Sequence, residues 1–300
     1  MMTRISVWLC TVITYSRIRL TLIVCLFLFN KALAAQTLIW VSEMSAPNAK
    51  PSSGVNLENR LFDLLSEEAN LPYQYQQANN LRAESILLSH NNACTGNKLK
   101  TRQRTETFPM TRLPQTLFLG QRLYSSNPAI KDAIATTQNA QHQVQIEKLL
   151  QLPDELVFGI QEGRSYGDIV DTIISQAETS RRIYRRNDQG TARGMVDMLL
   201  AGRVDFIIEY PNVLHHYQST SLRADTPLYS FSVAELNNYQ TGYIMCSPGP
   251  QGEKLAARLN QAIAQASQQR DYLQLHLDWY TADTHKELTQ LYNQVYQTGF

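Results

Sequence analysis

The sequence predicts an α/β protein of two lobes, each a mostly parallel sheet flanked by helices. Three observations carry this expectation. Apolar runs of strand length alternate with segments whose leucines and isoleucines recur at helical spacing, joined by short connections. That pattern puts helices on the faces of parallel sheets. The chain of 300 residues is too long for one sheet of such short strands, so the core divides in two. Its first 34 residues read as an export segment and take no part in the fold.

In that segment Arg4, Arg17 and Arg19 precede the apolar core LTLIVCLFLF, which is short for a bilayer span and leads into Ala32-Leu33-Ala34. Small residues at that spacing suit signal peptidase. The expectation is a cleaved signal peptide over 1–34 and a soluble mature chain in the periplasm; the alternative is an uncleaved N-terminal anchor.

TLIWVSE (37–43) reads as a buried strand running into a loop at Pro47, Pro51 and Gly54. Leu57, Leu61, Leu64 and Leu65 predict an amphipathic helix that stops before Leu71-Pro72. Ser85 to Leu88 ends a further helix. NNACTGNKLKTRQRTETF (91–108) holds four cations and no apolar run, and reads as a cationic loop; TLFLGQRLY (116–124) reads as one strand. NAQHQVQIEKLLQLP (139–153) looks like a linker with a short helix entering the second lobe.

The alternation then resumes. ELVFGI is a strand, Gly163 to Gly167 a turn, and Ile169, Val170, Ile173 and Ile174 the buried stripe of a helix. MVDMLLAG is a short helix with a glycine stop, VDFIIEY a strand, and TGYIMCS the last strand. GEKLAARLNQAIAQASQQ is a long helix with Leu255, Leu259, Ile263 and Ala266 on one face.

Charge and cysteine content exclude several classes. Without the four cations of the export segment (Arg4, Arg17, Arg19, Lys31), 23 Lys+Arg face 26 Asp+Glu, a formal net charge of −3. That is a poor footprint for a nucleic-acid partner or an anionic membrane. The mature chain keeps Cys94 and Cys246, most simply a disulfide in an exported protein, with two buried free thiols as the alternative. Two cysteines without a paired metal-ligand spacing give no zinc site, and no cofactor is expected. No Gly-x-Ser-x-Gly nucleophile elbow and no phosphate-cradling GxxxxGK[ST] occurs.

The order of elements, together with short motifs, resembles the type 2 periplasmic solute-binding proteins, the amino-acid-binding proteins of bacterial ABC transporters above all. LIWVSEMSAP gives the strand, acid and proline loop of the first lobe, with Glu43 and Pro47. Thr101-Arg102-Gln103-Arg104 matches a Thr-x-x-Arg element, VFGIQEGRSYGD the strand and glycine turn opening the second lobe, Gly202 with Asp205 and FIIEYPN the strand ending on an acid, Glu209, and LDWY the late aromatic at Trp279. The resemblance implies two crossover strands, with lobe 1 over 35–122 and 243–300 and lobe 2 over 123–242. It also implies that the strand bearing Cys246 returns beside the cationic segment. The chain departs from the pattern around Cys94 and at Glu209, where an Asp is usual.

A small zwitterion or anion held in a cleft needs a planar cation with parallel N–H donors, and the resemblance implies Arg104 for it. It implies a hydroxyl from Thr101 and backbone N–H groups near Gly96 and Asn97. The turn GRSYG, at a helix start, offers free N–H groups to an anion, with Gln161 before it and Ser165 and Tyr166 within it. Glu43 and Glu209 supply acceptors for a ligand amine or hydroxyl. Lys98, Lys100 and Arg102 read as solvated. Trp40, Tyr124 and Tyr210 are pocket walls or core.

The expectation is therefore a monomeric, non-enzymatic, periplasmic protein that closes on a small polar solute bearing a carboxylate, for uptake through a membrane permease. A sensory role that reports the solute to a membrane receptor is one alternative. A hydrolase using Glu43 or Glu209 as general acid and base is another.

Overall fold

The computed structural model describes residues 37–43, 57–152, 156–177, 182–187 and 192–300. The segment expected as a signal peptide and the loop expected at Pro47, Pro51 and Gly54 lie outside them. Two five-stranded sheets organise the rest.

The first sheet has the order β2-β1-β3-β10-β4, with β1 at Leu38–Ser42, β2 at Tyr73–Gln77, β3 at Ala93–Lys98, β4 at Thr116–Leu119 and β10 at Tyr239–Cys246. The second runs β7-β6-β8-β5-β9, with β5 at Arg122–Ser125, β6 at Phe158–Gln161, β7 at Ile183–Arg186, β8 at Phe206–Glu209 and β9 at Tyr229–Phe231. Both sheets are mixed. β1 is parallel to β2 and β3, and β6 to β7 and β8, whereas β10 is antiparallel to β3 and β4, and β5 to β8 and β9. The antiparallel strands border the two connections between sheets, because a chain arriving from the other lobe enters from the opposite end. TLFLGQRLY is accordingly two strands in two sheets, divided at Gly120-Gln121. β10 joins the first sheet from Tyr239, ahead of residue 243.

Helices cover both faces of each sheet. On one face of the first lie α1 (Leu57–Glu68), α9 (Pro250–Ala266), α10 (Arg270–Leu277) and α11 (His285–Tyr296), around Trp40, Phe62, Leu259, Tyr272 and Tyr292. Trp40 stacks on Phe62 at 3.5 Å, within this core. On the other face α2 (Asn80–Ser89) buries Ala83, Ile86 and Leu87 against Val41 and Met245. The second sheet packs α4 (Ile130–Ala135), α5 (Ile146–Leu150) and α6 (Asp168–Gln176) on one face. α7 (Arg193–Leu200) and α8 (Pro211–Ser219) cover its other face, where Tyr124 is a core residue.

Three expectations change. The cationic segment is not a loop: it forms β3, central in its sheet between β1 and β10, and then α3 (Arg102–Thr107). The first four positions of β3, Ala93, Cys94, Thr95 and Gly96, are small and buried, and the bulk around them comes from outside. A Cβ on Gly96 would lie 2.8 Å from the Trp40 ring, so the indole occupies that side of the strand. The segment expected as a linker with a short helix does hold that helix, α5, but it is no mere linker: it contributes Val144, Ile146 and Leu149, all fully buried, to the second-lobe core. In α6 only Val170 and Ile174 are buried, and Ile169 is 61 % exposed.

Cys94 and Cys246 face each other across β3 and β10, both fully buried, and are joined as a disulfide across 152 residues of sequence.

Candidate functional site

A cavity of about 160 Å³ lies between the two sheets, lined from the first lobe by Glu43, Glu58, Asn80, Asn97, Lys98, Arg104 and Trp279 and from the second by Gln161, Arg164, Ser165, Glu209 and Tyr210; Gln121, at the crossing, also lines it. Polar groups from both lobes meet around it, beside apolar lining from Leu57, Leu99, Phe118 and Val213. The lobes also touch directly. Arg104 Nη2 donates to the Gly163 carbonyl at 3.5 Å, and the Arg102 N–H to Asp168 Oδ1 at 3.3 Å.

On the first-lobe wall, Glu43 follows β1 and its Oε1 accepts the N–H of Asn80, at 2.9 Å, in the first turn of α2. Lys98, the last residue of β3, is buried and donates to Asn80 Oδ1 at 2.5 Å. It is therefore not the solvated cation that its neighbours in sequence suggest. Arg102 is the exposed one, paired with Glu106 at 2.9 Å. Lys100 is half-buried, bonded to the Thr111 carbonyl at 3.0 Å and seated over the Tyr243 ring.

Arg104 is buried, and its Nε donates to Glu84 at 3.2 Å. Thr101 sits behind it, its hydroxyl accepting the Arg104 N–H as the N-cap of α3. The Asn97 N–H donates to Gln115 Oε1 at 3.1 Å, and Gly96 is covered by Trp40 and Gln115. Of these residues only Asn97 and Arg104 line the cavity.

On the second-lobe wall, Arg164 holds Glu209 with two bonds of 2.6 and 2.7 Å, and Glu209 Oε1 also accepts the Tyr210 N–H. The Arg164 guanidinium lies over the Tyr166 and Tyr210 rings. Facing the Glu209 carboxylate, it is held charged at any working pH. Three N–H groups of the GRSYG turn are already engaged. That of Tyr166 donates to Asp171 Oδ1 at 2.7 Å, that of Gly167 to the Ser165 hydroxyl at 3.1 Å, and that of Arg164 to the Gln161 carbonyl at 3.2 Å. Tyr166 turns inward, its hydroxyl accepting the Gln161 N–H, and does not line the main cavity.

Five polar residues of the wall escaped the sequence reading. Arg164 lay inside the quoted turn, and Lys98 inside the cationic segment, so a signal existed for both. Asn80 and Gln121 carried none. Glu58 sits in the first turn of α1, next to the apolar stripe. Burial pushes its carboxyl up to about 7, against the pull of Lys98, with Glu43 raising it further.

No protein-family model matches the sequence, and no curated protein matches it. Solved structures do. An ancestral arginine-binding protein bound to glutamine is 14% identical over 81% of this chain and 97% of that one, with a TM-score of 0.59. The arginine-, lysine-, histidine-binding protein of the thermophilic bacterium Geobacillus stearothermophilus is 15% identical over 83% and 99%, with a TM-score of 0.56. A histidine kinase sensor domain with similarity to periplasmic binding proteins is 13% identical over 81% and 96%, with a TM-score of 0.58. The fold is that of the two-lobed type 2 periplasmic binding proteins.

Proposed function

We propose that the protein binds a small polar solute between its lobes and closes on it. The observation that carries this reading is the cavity itself, in which Lys98 and Arg104 of one lobe confront Gln161, Ser165 and the Arg164–Glu209 pair of the other. A solute touching both walls is bound fully only in the closed arrangement, so its binding energy shifts the population toward that arrangement. The solute bears a carboxylate, as an amino acid does. Arg104 is the planar cation for it, in a cavity that Lys98, Tyr210 and the Trp279 indole also line. Gly96, Asn97, Thr101 and Glu43 support the first-lobe wall, and Tyr166 the opposite one, through the contacts described above.

The solute is taken up through a membrane permease, and the protein acts in the periplasm as a monomer. Among the described residues no helix is long and apolar enough to cross a membrane. A sensory role is the second reading, favoured by the fold shared with a histidine kinase sensor domain. A hydrolytic pair is not supported by this geometry, because both oxygens of Glu209 are held by Arg164 and Glu43 caps α2.

Thermal unfolding of the mature protein in the presence of amino acids, small carboxylates, amines and short sugars tests this reading. A saturable rise in Tm for one class, with the compound recovered unchanged, supports it through mass action on the folded state. No rise for any class removes it, and recovery of a product replaces it with an enzyme.

A further inference from the structure

We propose that Glu58 sets which solute the cavity accepts, selecting an amino acid whose side chain carries a cationic nitrogen, amine or guanidinium, over its neutral isostere. The proposal rests on the solute-binding reading and assigns the chemistry of one wall. Arg164 and Glu209 neutralise each other, as do Arg104 and Glu84. Glu43 is committed to the N–H of Asn80, and Lys98 to the Asn80 side chain. Glu58 then stands as the carboxylate whose Oε1 has no hydrogen-bond partner among the described residues.

A second group points the same way. Gln121 is 4 % exposed, lines the same cavity, and its Oε1 also lacks a partner. Two unpaired acceptors on one cavity wall are costly unless a donor arrives. A protonated nitrogen brings several N–H donors and the opposite charge. The remaining balance agrees: once the internal pairs are set aside, Glu43 and Glu58 outnumber Lys98. The unpartnered Nε1 of Trp279, on the same lining, is a donor for the ligand's carboxylate end.

The titratable groups that face Glu58 are Glu43 at the end of β1, Tyr75 on β2 and Lys98 on β3, while Ser42 and the Gly96 backbone support its carboxylate. With its carboxyl pushed up to about 7 by burial, Glu58 is partly protonated at neutral pH. A cation placed against it stabilises the charged form, so binding expels the proton. Affinity for a cationic solute therefore rises with pH, by about tenfold between pH 6 and pH 8 for a single linked group.

Calorimetric titration of the full mature chain with arginine and with citrulline, which share a shape and differ in charge, reads this directly. The expected result is arginine at least tenfold tighter, a proton released on binding as judged in buffers of different ionisation heat, and a tenfold gain from pH 6 to pH 8. Glu58→Gln should abolish the discrimination and the proton release while citrulline binding changes less than twofold and Tm does not fall. Equal affinity for the two probes, or discrimination that survives in Glu58→Gln, overturns the proposal. Binding of neither probe by a chain that another solute stabilises overturns cation selection alone. Failure of every solute removes the solute-binding reading with it.

Discussion

Arg164 clamps Glu209 with two parallel N–H···O bonds of 2.6 and 2.7 Å, and the parallel pairing of β6 with β8 is what brings these residues, 45 apart in sequence, together. Both side chains are largely withdrawn from water, 17 % and 3 % exposed. The pair is therefore a fixed, neutral, planar unit on the second-lobe wall, and Glu209 is not a loose acceptor waiting for an amine.

Removing one member leaves the other charged and uncompensated. Arg164→Ala should destabilise the protein by about 3–5 kcal/mol, read from urea unfolding at pH 7. Replacing both residues with apolar side chains of similar volume should cost much less, since no buried charge remains. A single Arg164→Ala cost below about 1 kcal/mol would mean that Glu209 has found water or another donor.

Arg104 is different, because its partner Glu84 keeps about a third of its side chain in solvent. Arg104→Ala should change stability little, while binding of a carboxylate-bearing solute should weaken by about 2–5 kcal/mol if the carboxylate is buried against it. Arg104→Lys should recover only part, as a point charge cannot reproduce two parallel donors. Titration calorimetry on the three proteins checks this, and a loss of a few tenths in Arg104→Ala would take the residue out of the site.

How legible these features were depends on where their causes lie. Most elements could be read because their cause is local periodicity: Leu57, Leu61 and Leu65 are buried on one face of α1, and Leu255, Leu259 and Ile263 on one face of α9. β3 could not be read, because what buries it is Trp40, 56 positions before Gly96 in the sequence numbering. The disulfide was legible from composition alone. Glu209 was found as a residue, but its engagement by Arg164 depends on a tertiary contact. Glu58 was invisible, since a glutamate in a first helical turn ordinarily answers to the helix dipole in water, and only the packing of β1 and β3 over it buries this one.

The Cys94–Cys246 bond joins the two strands at the centre of the first sheet. Closing a loop of that length removes about 5 kcal/mol of chain entropy from the unfolded state in the loop-closure treatment. The double variant Cys94→Ala with Cys246→Ala should lower the urea midpoint strongly, and reductant should act on the natural protein only after unfolding, since both sulfurs are buried. Mass spectrometry of the unreduced chain should find the two cysteine peptides linked; two free thiols would sink the bond.

Gly163 is placed to govern closure. Its φ is +72°, and a Cβ there would fall 2.8 Å from Cγ of Leu81, on the opposing lobe. Its carbonyl also receives Arg104. Gly163→Ala should therefore strain the turn and hold the lobes apart. The expected readout is a larger radius of gyration in small-angle scattering and weaker solute binding, with each lobe's core intact. Unchanged scattering would show that the lobes accommodate the methyl group.

His276 gives the first lobe a defined acid sensitivity. The ring is fully buried among Tyr272, Tyr292 and Tyr296, and its Nδ1 lies 2.9 Å from the Tyr272 carbonyl. A carbonyl only accepts, so Nδ1 carries the proton and Nε2 is bare and unpartnered. Burial holds the group down to about 4, against 6.5 for a histidine in water. The unfolded chain binds this proton first, so stability is complete above pH 6.5 and is lost as pH falls toward 4. The gap between the two values corresponds to about 3 kcal/mol. Glu58 acts with the opposite sign, its raised carboxyl costing stability as pH rises from 4.5 toward 7, so the comparison must be made against the natural protein at each pH. His276→Phe should be about 1 kcal/mol less stable at pH 8, for the lost hydrogen bond, should overtake the natural protein near pH 6, and should be about 2 kcal/mol the more stable at pH 4. Urea midpoints from pH 4 to pH 8 read the crossing, and parallel curves would show that the histidine is not held neutral by the core.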